Sequence, residues 1–205
     1  MRKPTAEDLN VSRETFERLE SYVALLEKWT PKINLISKSS IPEIWNRHIQ
    51  DSLQVYRAGP DGFRHWVDLG SGGGFPGIVV AVLASDKLDQ RRVSLVESDS
   101  RKAAFLRSAI REAAANGTVI CERIESLAPQ KADVVSARAL ADLKTLLGFA
   151  ERHLVEGGVA LFSKGISWEK EIDAARSEWS FTLDALRSET EEGSVILRIG
   201  DIARV

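Results

Sequence analysis

The sequence predicts an open α/β fold: a mostly parallel sheet of seven strands with helices on both faces, and a helical extension ahead of it over residues 1–60. Three observations predict it. Val67-Asp68-Leu69 closes an apolar run and opens into five glycines within eight positions, Gly70 to Gly77, followed by the apolar stretch Ile78 to Ala84. Strand, glycine turn and helix in that order is how such a sheet brings bare backbone against a ligand. From Arg64 onward, strand-length apolar runs alternate with helical periodicity, the pattern of a parallel sheet. Ahead of Arg64 only the helical period is present.

Thr5-Ala6-Glu7-Asp8 reads as a helix start, and Phe16, Leu19, Val23, Leu26 and Trp29 keep helical spacing up to Pro31. Ser40 with Pro42 in the first turn starts a second helix carrying Ile44, Ile49, Leu53 and Val55 and stopping near Gly59-Pro60. Strands are expected at 65–69, 92–97, 118–122, 132–137 and 158–163, and helices at 76–85, 100–115, 141–154 and 167–178. Ser180 to Leu186 and Ser194 to Ile199 add two strands joined by Glu191-Glu192-Gly193. Residues 61–205 then form the sheet domain, in one compact unit with the extension.

The chain has 205 residues, 43% hydrophobic and 28% charged, which suits a water-soluble globular domain. No segment approaches the roughly 18 consecutive apolar residues of a membrane span, and Met1-Arg2-Lys3-Pro4 does not open a signal peptide. A cytoplasmic monomer is expected. The lone cysteine, Cys121, follows Val119-Ile120 and reads as a buried strand residue. One cysteine and three scattered histidines offer no zinc-like cluster, so no metal is expected. A net charge of −2 gives no general attraction to nucleic acid, though a local basic face remains compatible with it.

The loop spacing selects among nucleotide cofactors. A dinucleotide fingerprint places Gly or Ala three positions after Gly72, where this chain has Phe75, and no Gly-Lys-Ser/Thr follows as a phosphate-binding loop requires. Asp68-x-Gly70-x-Gly72-x-Gly74 fits another pattern. It resembles motif I of the S-adenosylmethionine-dependent methyltransferases with a Rossmann-like fold. That cofactor carries an ammonium, which Asp68 is placed to hold. Val93-Ser94-Leu95-Val96-Glu97 ends the next strand in a carboxylate suited to both ribose hydroxyls.

Arg47-His48-Ile49-Gln50-Asp51-Ser52-Leu53 places Arg47 with Asp51, and His48 with Ser52, four residues apart on a helix, spacing that more often marks an exposed ion pair than a site. Together with Asn34-Leu35-Ile36-Ser37, the loop ending Phe75-Pro76-Gly77, Ser136-Ala137-Arg138-Ala139 and Ser163-Lys164-Gly165, this segment resembles the glucose-inhibited division protein B family. Those are the bacterial 16S rRNA (guanine-N7)-methyltransferases, and the resemblance runs in order from about residue 30 to 165. It implies S-adenosyl-L-methionine as cofactor and 16S rRNA, or the assembling small subunit, as partner. It also implies cofactor contacts at Gly70, Gly72, Phe75, Glu97, Ile124, Glu125 and Arg138. Arg47, His48, Arg138 and Lys164 become candidates for phosphate or guanine contact. A salt bridge to a neighbouring acid is the rival reading for Arg138. Guanine N7 has a free lone pair, so the implied reaction requires alignment and no proton-transfer residue. An NAD-dependent oxidoreductase is opposed by Phe75 and Asp68, and a non-catalytic assembly factor by the intact glycine loop with Glu97. Methylation of a different acceptor is opposed only by the family resemblance.

Overall fold

The computed structural model describes residues 3–85 and 91–205. Seven strands form one sheet in the order β3-β2-β1-β4-β5-β7-β6. They are β1 (His65–Leu69), β2 (Arg92–Val96), β3 (Gly117–Ile120), β4 (Ala132–Arg138), β5 (Leu154–Lys164), β6 (Trp179–Arg187) and β7 (Val195–Arg204). Strands β1 to β5 run parallel, and β7 is antiparallel to both β5 and β6. The strand order reverses between β1 and β4, so a ligand crevice is expected beyond their carboxyl ends.

Side chains alternate across the sheet, as the pleat dictates. Trp66, Leu95, Val134 and Leu161 face one layer, shared with α1 (Arg13–Ile33), α2 (Asp51–Ala58), α3 (Gly77–Ser85) and α4 (Ser100–Glu112). Val67, Val96, Val135 and Phe162 face the other, against α5 (Leu143–His153) and α6 (Trp168–Ala175). The N-terminal helices therefore share the core of α3 and α4. No helix among the described residues is long and apolar enough to cross a membrane.

The ends and interruptions differ from expectation for physical reasons. Helix α1 begins at Arg13, not Thr5, because Ser12 caps it by accepting from Thr15 N–H. Ahead of that cap Asp8 closes a local turn on Thr5, and Asn10 adopts a positive φ of 51°. The helix passes through Pro31, whose ring is tolerated near the last turn, and stops where Asn34 turns left-handed at φ 48°. The expected second helix is three pieces: a 3₁₀ segment Lys38–Glu43, a π-helical segment Ile44–Gln50, and α2. The π turn changes which side chains share a face, so Arg47 does not pair with Asp51. Cys121 lies one residue beyond β3 and is exposed, not buried in a strand.

Gly77 opens α3 directly above Asp68. A Cβ there would stand 2.6 Å from Asp68 Oδ2 and 2.9 Å from Leu95 Cδ2. Gly77→Ala is expected to lower stability by about 1–3 kcal/mol through overpacking, despite alanine's better helix propensity. Urea midpoints of the two proteins measure the difference.

Candidate active site

A cavity of about 660 Å³ opens at the carboxyl edge of the sheet. Gly70, Ser71, Gly72 and Gly73 after β1 form one wall, with Phe75. Glu97 follows β2, Ile124 and Glu125 come from the segment after β3, Arg138 ends β4 and Leu140 follows it. Leu35, Ile36, Ser37 and His48 of the N-terminal segment close the opposite side. Every residue expected to contact the cofactor, apart from Asp68, lines this one cavity.

The loop is held by its backbone. Gly70, Gly72 and Gly74 take φ values of 65°, 51° and 97°, a region other residues occupy only with strain. Ser71 N–H donates to the Val96 carbonyl at 3.0 Å and Tyr22 Oη donates to the Gly73 carbonyl at 2.6 Å. A Cβ on Gly73 would come within 2.9 Å of the Leu35 carbonyl, so the N-terminal segment can lie this close only over a glycine. On Gly72 a Cβ would meet nothing nearer than the Gly70 carbonyl at 3.7 Å, leaving that face of the loop to the cavity. The Phe75–Pro76 peptide bond is cis.

Glu97 braces the loop from below. Its Oε2 accepts from Gly72 N–H at 2.9 Å and its Oε1 from Asp99 N–H at 2.8 Å. A carboxylate has about four lone-pair sites, so capacity remains for a diol. Ile124 and Phe149 add apolar wall beside it. These features fit an adenosyl group: a bare backbone cradle, a carboxylate at ribose position and an apolar slot.

Asp68 requires a correction. It is fully buried and outside the cavity lining, so it cannot hold a cofactor ammonium. Its Oδ1 accepts from Ser136 Oγ at 2.7 Å, and Ser136 in turn accepts from Trp66 Nε1 at 2.8 Å. Oδ2 rests beneath Gly77, the first residue of α3, and among the described residues no group meets it in good hydrogen-bond geometry, although the Gly77 N–H is near enough to favour the charged form. Burial raises its pKa from 3.8 to about 6, with the Ser71 and Ser136 hydroxyls pulling back part of the way.

The four candidate cations separate in the same way. His48 is buried and stacks on Phe75 with ring centroids 4.8 Å apart, and among the described residues neither ring nitrogen has a partner. Burial first, then Arg138 and Arg47, lower its pKa to about 3. It lines the cavity as a neutral ring, not as a phosphate-binding cation. Arg47 stands outside the cavity and pairs with Glu191 at 2.5 Å, across to the turn between β6 and β7. Lys164 is largely buried, donating to the Ala141 carbonyl at 2.8 Å and to Glu171 Oε2 at 2.7 Å, and it lines a second cavity, not this one. Arg138 pairs with Asp51 at 3.4 Å and donates to the Arg47 carbonyl at 2.9 Å, yet also lines the cavity. Both readings of Arg138 are therefore compatible with its position. It borders a second, adjoining cavity of about 330 Å³ as well.

Sequence reasoning missed the N-terminal wall as a wall. Asn34-Leu35-Ile36-Ser37 stood out as a motif, but nothing in its spacing shows that it folds over Gly73. Leu140 and Phe149 were equally silent, since each reads as ordinary helix or turn packing. Among the described residues no cluster of His, Cys, Asp or Glu could hold a metal.

The sheet order, the antiparallel last strands and the glycine loop at the switch point define the class I S-adenosylmethionine-dependent methyltransferase fold. Solved structures agree. A ribosomal protein L11 methylase from Lactobacillus delbrueckii subsp. bulgaricus superimposes with a TM-score of 0.59 at 17% identity, covering 74% of this chain and 76% of that one. An O-methyltransferase from Bacillus cereus in complex with SAH gives 0.56 at 16% identity, covering 93% and 91%. Within that class the chain belongs to the GidB family, rRNA small subunit methyltransferase G, whose model matches residues 15–192. It is similar to ribosomal RNA small subunit methyltransferase G of Ruegeria sp. (strain TM1040), 56% identical with 97% of this chain and 96% of the relative covered. The protein of the same description from Ruegeria pomeroyi is 55% identical over the full length of both chains.

The buried Asp68 has a measurable signature. Its raised pKa favours the folded state below about pH 4, and that contribution is lost as the pH rises through about 6. Relative to wild type, Asp68→Asn should gain up to about 3 kcal/mol between pH 4 and 7, whatever constant offset the amide introduces. Denaturant titrations of both proteins across that range test it, and parallel profiles would contradict the assignment.

Proposed function

We propose that this protein transfers a methyl group from S-adenosylmethionine to N7 of a guanine in small-subunit ribosomal RNA. The observation that carries the reading is the cavity walled by Gly70, Gly72, Glu97 and Ile124, in a chain of the GidB family. When bound there, the cofactor supplies a methyl group on a sulfonium centre.

The protein's own residues bind and align. Gly70 and Gly72 present bare backbone, Phe75 backs the loop, and Glu97 accepts from the ribose hydroxyls. Ile124 packs beside the adenine while the backbone at Glu125 meets its polar edge. Arg138, between the two cavities, faces both reactants and is held there by Asp51. N7 of guanine needs no base to activate it, which suits a cavity whose histidine is held neutral. Proximity and exclusion of water then supply the rate. The setting proposed for this reaction is the cytoplasm, with the protein acting as a monomer.

Mass mapping of modified nucleosides in small-subunit rRNA, from cells with and without the protein, tests the activity. N7-methylguanosine at one position should vanish without it and return on complementation; an unchanged modification map would overturn the proposal. The site has its own check. Glu97→Ala should weaken S-adenosylmethionine binding by roughly 10- to 100-fold in calorimetry, the scale of losing hydrogen bonds to a charged acceptor. Wild type should show no heat with NAD.

A further inference from the structure

We propose that the Lys164–Glu171 pair reads the O6 and N1–H edge of the acceptor guanine in the second cavity, making Glu171 a specificity-determining residue. This rests on the function proposed above and names how that site selects its base.

The second cavity lies where an acceptor must be. It shares Arg138, Ala139 and Ala141 with the cofactor-sized cavity and stands at the carboxyl ends of β4 and β5. Its volume of about 330 Å³ is at the small end of ligand pockets, the scale of one base taken out of its stack. Three carboxylates, Asp51, Glu171 and Glu191, line it against two cations, Arg138 and Lys164. A phosphate is poorly matched to that balance. A base edge with N–H donors is well matched.

Within this wall one pair offers a donor beside an acceptor. Lys164 Nζ uses two of its three protons, on the Ala141 carbonyl and on Glu171 Oε2. Glu171 Oε2 also accepts from Leu143 N–H at 2.9 Å, while among the described residues nothing bonds Oε1. The third ammonium proton and the free Oε1 therefore complement O6 and N1–H of guanine. Adenine presents the reverse, a donor at N6 and an acceptor at N1, and meets like against like. N7 lies on the other side of O6, so a base held by O6 and N1 leaves N7 free to face the shared wall and the cofactor. The pair also ties the start of α5 to β5 and α6, and the test must separate that structural role from base reading.

The enzyme loaded with S-adenosylhomocysteine is titrated with GMP, IMP and AMP, with binding followed by ligand-observed NMR. GMP and IMP, which share O6 and N1–H, should bind alike, and AMP about tenfold or more weakly. Glu171→Gln keeps an acceptor for Leu143 N–H but turns an amide donor toward N1–H. Its preference for GMP over AMP should collapse to within about twofold while S-adenosylhomocysteine affinity is unchanged. Equal binding of GMP and AMP by wild type, binding of none of the three, or a Glu171→Gln variant that keeps the preference overturns the proposal. So does a variant that loses cofactor and nucleotides in parallel, since that is the mark of a structural brace. The wild-type comparison needs no variant to fold. Failure here leaves the rRNA modification map untouched, so the two proposals fail separately.

Discussion

The fold around the site depends on one stretch of backbone, Gly70 to Gly77, being clamped from two directions. From the sheet side, Glu97 takes Gly72 N–H and the Val96 carbonyl takes Ser71 N–H. From the other side, Tyr22 donates to the Gly73 carbonyl, and the Leu35 carbonyl sits where only a glycine lets it. The same residues end β1, turn the chain, open α3 over Asp68 and wall the cavity. A side chain on Gly73 or Gly77 would collide with a neighbour that cannot easily move. The N-terminal segment is thus part of the site, and its Tyr22 packs against Phe75 of the loop.

Charge at the carboxyl edge is handled by pairing and by neutralisation. Arg47 is matched with Glu191, Arg138 with Asp51 and Lys164 with Glu171, while His48 is left as a neutral ring on Phe75. Burying an unpaired cation is costly, so partners are expected wherever the sheet edge is enclosed. The consequence, around the second cavity, is a wall of fixed donors and acceptors in place of a basic patch. Such a wall suits recognition of a base edge more than capture of a phosphate backbone. Attraction to RNA must then come from elsewhere on the surface, because a net charge of −2 supplies none in general.

Much of this was legible in the sequence, and the rest was not for identifiable reasons. The strand–glycine–helix unit, Glu97 at the next strand end and the sevenfold strand pattern are short-range signals, and all seven strands are present. The π turn over Ile44–Gln50 was illegible because helical spacing was assumed through Arg47 and Asp51. Asp68 misled because a carboxylate at a strand end looks the same in sequence whether it meets a ligand or supports a helix start. The partner of Lys164 was illegible because Glu171 comes from a separate helix, and only the tertiary fold brings the two together. The covering of Gly73 by Leu35 is likewise a contact across 38 positions that no local pattern encodes.

The central claim, that the glycine loop and the N-terminal segment over it form one cofactor site, is tested most directly by amide hydrogen exchange with and without S-adenosylmethionine. Local opening of this loop should be suppressed when the site is filled. Exchange should slow at Gly70 to Gly73 and, together with it, at Leu35 to Ser37 and at Ile124-Glu125, with no such change on adding NAD. Protection confined to other segments, or a loop that slows while Leu35 to Ser37 exchanges as before, would contradict it.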